Sequence, residues 1–254
     1  MDALHGLGFG LGYDPHSDVR TMTTAVADAE RAGFDLCFFS ETFYTHRDSV
    51  TALTAFALAT GVTTLGATQV VRLRSPLVTA QTIATLDELS GGRVLIALGA
   101  ATDKHAARNG LPAERPADAL REHLTAVRLL LTGEKVTFHG EFVRLDGVGL
   151  GFAPVRPEVP LWIAGSSRLG LRLAGELADG VLLDAGTSPE YSAAAVERVR
   201  RARETAARDT PFTVAQLVNT SIEDSRQTAL ERVRWEVATK CRYPGTGRAK
   251  IAAG

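Results

Sequence analysis

Short runs of apolar, often β-branched or aromatic residues alternate along this chain with longer stretches whose apolar positions recur every three or four residues. The short runs predict strands at Leu7–Leu11, Leu36–Phe39, Leu65–Val71, Val94–Leu98, Leu161–Ala164, Gly180–Leu183 and Phe212–Val218. They are nearly all apolar, as strands covered on both faces must be. The longer stretches predict helices. The first runs from an N-cap at Ser17 to Ala32, with Met22, Val26 and Ala29 on one stripe and Gly33 as its stop. Another opens at Ser75-Pro76, a cap followed by proline at the first helical position, and ends at Gly91-Gly92. A third, about Pro116–Thr132, carries Leu120, Leu124, Val127 and Leu131 on one side. Further helices fit Arg168–Ala178, Glu190–Ala207 and Ser225–Ala238.

The first four strands start at Leu7, Leu36, Leu65 and Val94, each one βα unit after the last. Strict alternation of this kind means a parallel sheet. Seven strands without a linker-like break favour a closed TIM-type (β/α)8 barrel over an open doubly wound sheet. The eighth strand is not identifiable. Val136 to Leu145 reads as a hairpin inserted after strand four, with its turn at His139-Gly140. A single domain is expected, with a barrel core over about 4–238 and a tail over 239–254.

The length of 254 residues suits one such barrel. The formal net charge of −1 offers nothing to nucleic acid or to an acidic membrane surface. No apolar run is long enough to span a membrane, and the N-terminus lacks the pattern of a signal peptide. Cys37 sits in an apolar run and Cys241 in a polar tail, so no disulfide framework is expected and a reducing cytoplasm is the default.

Several familiar chemistries are missing. Gly6 to Gly12 is glycine-rich, but Tyr13 stands where a dinucleotide fingerprint counted from Gly8 needs its last glycine. Gly165-Ser166-Ser167 begins like a nucleophile elbow, yet Leu169 holds the closing glycine's place. The six histidines are scattered, without metal-ligand spacing.

In a parallel barrel the loops at the carboxyl ends of the strands build the site. That rule selects Ser40 and Glu41 after strand two, and Thr68, Gln69 and Arg72 at the end of strand three. It adds Gly99, Ala100, Ala101 and Thr102 after strand four, Gly165, Ser166 and Ser167 after strand five, and Asp184 and Ala185 after strand six. A glycine-serine turn opening a helix presents N–H groups and hydroxyls to an anion. Its plainer alternative is an ordinary helix cap. The small run Leu98 to Ala101 leaves room for a flat ring, or merely packs strand against helix. Glu41, with an apolar strand behind it, is either a part-buried acid or a rim residue paired with Arg47 or Arg72.

At these residues the chain resembles the luciferase-like monooxygenase superfamily, and within it the branch similar to methylenetetrahydromethanopterin reductase, which uses coenzyme F420. The resemblance is carried by Ala29 to Asp35, by Ser75 to Gln81, by Thr85-Leu86-Asp87-Glu88-Leu89-Ser90-Gly91-Gly92-Arg93, and by Pro160 to Ser167 continuing through Leu173 to Val181. It implies a hydride-transferring oxidoreductase acting on a small organic substrate, and a barrel with a deazaflavin ring at its mouth. FMN with monooxygenase activity is the alternative, and a non-catalytic flavin-binding protein a third. It further implies that Gly165-Ser166-Ser167 holds the cofactor phosphate, with Glu41 as candidate acid, and that a non-prolyl cis peptide lies near Thr68–Gln69. Arg72, Arg74, Lys104 and Arg168 are expected to meet the anionic F420 tail. Relatives of this kind are commonly homodimers. The family often places Asp-His or Glu-His after strand two, where this chain has Ser40-Glu41.

Overall fold

A computed structural model describes residues 10–12, 17–41, 47–100, 103–112 and 114–241. The chain divides into two compact units, Met1–Trp162 and Ile163–Gly254.

The first unit opens with β1 (Gly10–Gly12), α1 (Val19–Arg31), β2 (Leu36–Ser40), α2 (Ser49–Ala59), β3 (Thr64–Val70), α3 (Pro76–Ser90) and β4 (Val94–Gly99). The strands β1, β2, β3 and β4 pair in parallel, in sequence order, with Phe38 opposite Gly66 and Gly66 opposite Leu95. A β-carbon on Gly66 would collide with the Phe38 ring, so glycine there admits an aromatic neighbour. Phe39 lies edge-on to Phe56 of α2, with ring centroids 6.3 Å apart. Side chains alternate along a strand, so Cys37 and Phe39 face the helices, while Leu36, Phe38 and Ser40 face the other way.

The N-cap of α1 is Asp18, not Ser17: its carboxylate accepts the Thr21 amide at 2.9 Å. An aspartate also carries the charge that the positive end of a helix favours. Glu30, on the last turn of α1, accepts the amides of Gly61, Val62 and Thr63 at 2.7–3.1 Å and so fixes the loop into β3. The Thr63 amide foremost, against the opposing effect of burial, holds the Glu30 carboxyl down at about 2.

The segment Thr85 to Arg93, one of those that carry the resemblance, proves architectural. Gly91 and Gly92 both adopt positive φ (68° and 84°) and end α3 in a reversal that L side chains rarely make. Asp87, 1% exposed, accepts the Val94 amide and a two-point bond from Arg156. Arg93 reaches the carbonyls of Ala57, Thr60, Thr63 and Ser90, tying the end of α2 to the start of β4.

Beyond β4 come the short α4 (Asp103–Arg108), which strand and helix periodicity did not foresee, α5 (Pro116–Leu131), and the hairpin β5 (Val136–His139) with β6 (Arg144–Val148). The hairpin is where it was expected, but its turn is not at His139-Gly140. His139 still pairs with Arg144, and the tip comprises residues 140–143. Glu122 on α5 accepts the amides of Glu141, Phe142 and Val143 at 2.7–2.9 Å, which widens the turn to four residues. Strand β7 (Leu161–Ala164) crosses the boundary between the units.

The second unit contains α6 (Arg168–Leu177), β8 (Gly180–Leu183), α7 (Pro189–Thr205), β9 (Thr213–Gln216) and α8 (Arg226–Cys241). Helices α6 and α7 approach closely at Gly175, where a β-carbon would stand 2.6 Å from the Val199 carbonyl oxygen. Strand β9 pairs in parallel with β8, yet three of its four residues are exposed, and α8 buries none of its described side chains.

The strand order is β1-β2-β3-β4-β7-β8-β9, with β5-β6 apart. This is the topology of a (β/α)8 barrel through its seventh strand, with no eighth strand among the described residues. No described helix is long and apolar enough to cross a membrane.

Candidate functional site

In the first unit the ends of β2, β3 and β4 carry the expected residues on two opposite faces. Ser40 lies opposite Thr68, and Thr68 opposite Ala97. Ser40, Thr68 and Gly99 therefore share the face turned away from α2. The Glu41 amide donates to the Thr68 hydroxyl at 2.7 Å, locking these strand ends together. Ala100 follows directly after Gly99. Ala101 and Thr102 lie outside the described residues.

Glu41 and Gln69 belong to the helix side. The Glu41 carboxylate accepts the Ser49 hydroxyl at 3.1 Å, the Val70 amide at 3.0 Å and an ion pair from Arg74. Arg74 also reaches Asp48, the N-cap of α2, at 3.1 Å. The side chains of Glu41 and Arg74 are 9% and 18% exposed, so this pair is largely withdrawn from water. Gln69 is 2% exposed, and neither atom of its amide has a hydrogen-bond partner. The Thr68–Gln69 bond is trans, as are all described peptide bonds, which corrects the expected cis peptide. Regular pairing of β3 with both neighbours through Thr68 leaves no bulge there.

Two of the arginines expected to meet an anionic tail are committed elsewhere. Arg74 holds Glu41 and Asp48. Arg72 donates to the Glu114 carbonyl and lies 6.0 Å from the Phe142 ring centre. The Lys104 side chain lies outside the description, and Arg168 is exposed on the first turn of α6.

In the second unit, β7 ends at Ala164 and α6 begins at Arg168, leaving Gly165, Ser166 and Ser167 as the turn. The Gly165 amide donates to the Leu182 carbonyl of β8 at 3.2 Å. Ser167 is the N-cap, its hydroxyl accepting the Gly170 amide at 3.0 Å. The amides of Ser167, Arg168 and Leu169 stand at the helix start, where no intrahelical acceptor exists. The Ser166 hydroxyl is buried and has no hydrogen-bond partner. A β-carbon on Gly165 would meet nothing within 4 Å, so the turn opens onto free space.

Sequence reasoning missed Tyr191, on the first turn of α7, whose hydroxyl donates to the Ser166 carbonyl. Burial foremost pushes that hydroxyl's pKa up, so it remains a donor. No spacing rule links Tyr191 to Ser166. After β8, Ala185 is buried, and the Asp184 carbonyl accepts the Gln216 side-chain amide at 2.6 Å.

The fold has counterparts in known proteins. The chain is 32% identical to the 5,10-methylenetetrahydromethanopterin reductase of Methanolobus tindarius over 79% of its own length and 61% of the reductase's. It is 31% identical to the F420-dependent glucose-6-phosphate dehydrogenase of Nakamurella multipartita, over 83% of this chain and 66% of that one. It thus spans less than two thirds of the length of either relative. The solved coenzyme F420-dependent tetrahydromethanopterin reductase of Methanopyrus kandleri superimposes with a TM-score of 0.84, covering 92% of this chain and 72% of that one at 26% identity. The family profile described as luciferase-like monooxygenase matches residues 4–253, and the chain belongs to that family.

Proposed function

We propose that this protein is an F420-dependent oxidoreductase that moves a hydride between the deazaflavin and a small organic substrate. The names of two similar proteins point to F420, and the turn at Gly165-Ser166-Ser167 is the observation that carries the reading. It combines a buried hydroxyl without a partner, three first-turn amides and open space at glycine. A ribityl phosphate satisfies such groups, because a helix start favours an anion. When bound, F420 supplies the hydride carrier.

The protein's own part is placement. In the first unit Ser40, Thr68, Gly99 and Ala100 place small or hydroxyl-bearing groups at the strand ends; in the second, Asp184 and Ala185 follow β8. Glu41 acts here as a positioning residue: it faces α2 and holds the Val70 amide and Arg74. FMN is the second reading, because it carries the same phosphate.

We further propose a homodimer in a reducing cytoplasm. Helix α2 has no charged residue from Ser49 to Ala59, and it packs beside α3. Leu58, Val62, Val78 and Leu89 are exposed there. The uncharged length of α2 meets its own copy without repulsion.

Titration by fluorescence quenching tests the cofactor. F420 is expected to bind more tightly than FMN at low salt. The preference narrows as salt rises, because its tail meets exposed charge only. Micromolar FMN binding without F420 binding at low salt overturns the deazaflavin reading. Binding without turnover of any substrate marks the non-catalytic alternative.

A further inference from the structure

Three bonds fix the turn between β7 and α6, and each has a different job. The Gly165 amide holds the turn to β8, and the Ser167 hydroxyl caps α6. The third, from the Tyr191 hydroxyl to the Ser166 carbonyl, is made by a side chain from another helix. A peptide unit is planar and trans, so its carbonyl and its N–H point in opposite directions. Fixing the Ser166 carbonyl therefore fixes the direction of the Ser167 amide, the first of the three amides at the helix start.

Tyr191 is itself held. Its backbone amide donates to the hydroxyl of Ser188, the N-cap of α7, at 3.1 Å. The close approach of α6 and α7 at Gly175 keeps the two helices together. The Ser166 hydroxyl, buried and without a partner, lies on the same residue whose carbonyl Tyr191 holds.

We propose that Tyr191 is a positioning residue for the cofactor phosphate: by holding the Ser166 carbonyl it aims the Ser167 amide at the anion. This rests on the phosphate-binding reading of the turn. Tyr191 acts through the Ser166 carbonyl of the turn, so it alters affinity for a phosphate-bearing ligand and leaves recognition of the ring alone.

That division sets the experiment. Tyr191→Phe and the unaltered protein are titrated with FMN and with riboflavin, which lacks the phosphate, and then with F420 and its phosphate-free deazaflavin core. Loss of one aimed donor is expected to weaken FMN and F420 about tenfold, with riboflavin and the deazaflavin core unchanged. Equal weakening of FMN and riboflavin in the variant makes Tyr191 a packing residue and overturns the proposal. So does unchanged FMN affinity in the variant while the unaltered protein prefers FMN to riboflavin. If the unaltered protein binds FMN no better than riboflavin, the phosphate reading of the turn fails first, and the role of Tyr191 with it.

Discussion

Glu30, Glu122, Asp87 and Glu41 each close a loop or a strand end by accepting backbone amides. Of these only Glu41 was singled out in the sequence, because it follows an apolar strand. Its partner Arg74 was expected at an anionic cofactor tail instead, since a contact across 33 residues leaves no mark in local periodicity. Glu41→Gln keeps an acceptor for Val70 but loses the ion pair. A positioning role predicts lower cofactor affinity with an unchanged pH profile of kcat, whereas loss of one limb of that profile would make Glu41 a proton donor. Gly165→Asp has room for its side chain, so the variant is expected to fold and to lose FMN and F420 binding through charge alone. Retained affinity in a titration would remove the phosphate from this turn. His123 gives a pH prediction. It is 3% exposed, beside the Thr79 hydroxyl at 3.2 Å, and burial lowers its pKa from 6.5 to about 4. The unfolded chain takes up this proton first as pH falls, so stability drops between pH 6.5 and 4, by about 2–3 kcal/mol. Denaturant melts of His123→Gln over that range should show a shallower fall.

Helices and strands were largely legible because burial on both faces writes continuous apolar runs, and a helix with one buried face writes a stripe. The misses have local physical causes. The cap of α1 moved by one residue because Asp18 and Ser17 are both competent caps. The hairpin tip widened because Glu122, on a separate helix, captures three of its amides. The segment Leu86 to Arg93 was recognised by resemblance, but its architectural purpose appears only once Arg156 is seen on Asp87. Arg156→Ala leaves that buried carboxylate without its cation and is expected to cost about 3 kcal/mol, read as a lowered midpoint of urea unfolding. The contact between α6 and α7 depends on the missing side chain of Gly175. Gly175→Ala forces the added methyl toward the Val199 carbonyl and should destabilise by about 1–3 kcal/mol. An unchanged melting temperature would show that the helices can move apart freely.

For the whole molecule, alternation and strand count were enough to name the barrel topology through seven strands, and family resemblance supplied the cofactor class that is proposed. The proposed dimer makes a prediction at this scale. Leu58→Arg with Val78→Arg places like charges among the exposed apolar side chains of α2 and α3, and sedimentation should show a monomer. A dimer that survives both changes uses another face. Strand β9 has a different consequence. With β8 as its partner, most of its residues in contact with water and α8 contributing no buried described side chain, β9 opens without disturbing β2, β3 and β4. Deuterium should therefore enter the amides of residues 213–241 through local opening, long before those of the central strands, which exchange only when the whole protein unfolds. The same separation should let a protease at low concentration cut near residues 217–225 while the far-ultraviolet signal of the rest persists.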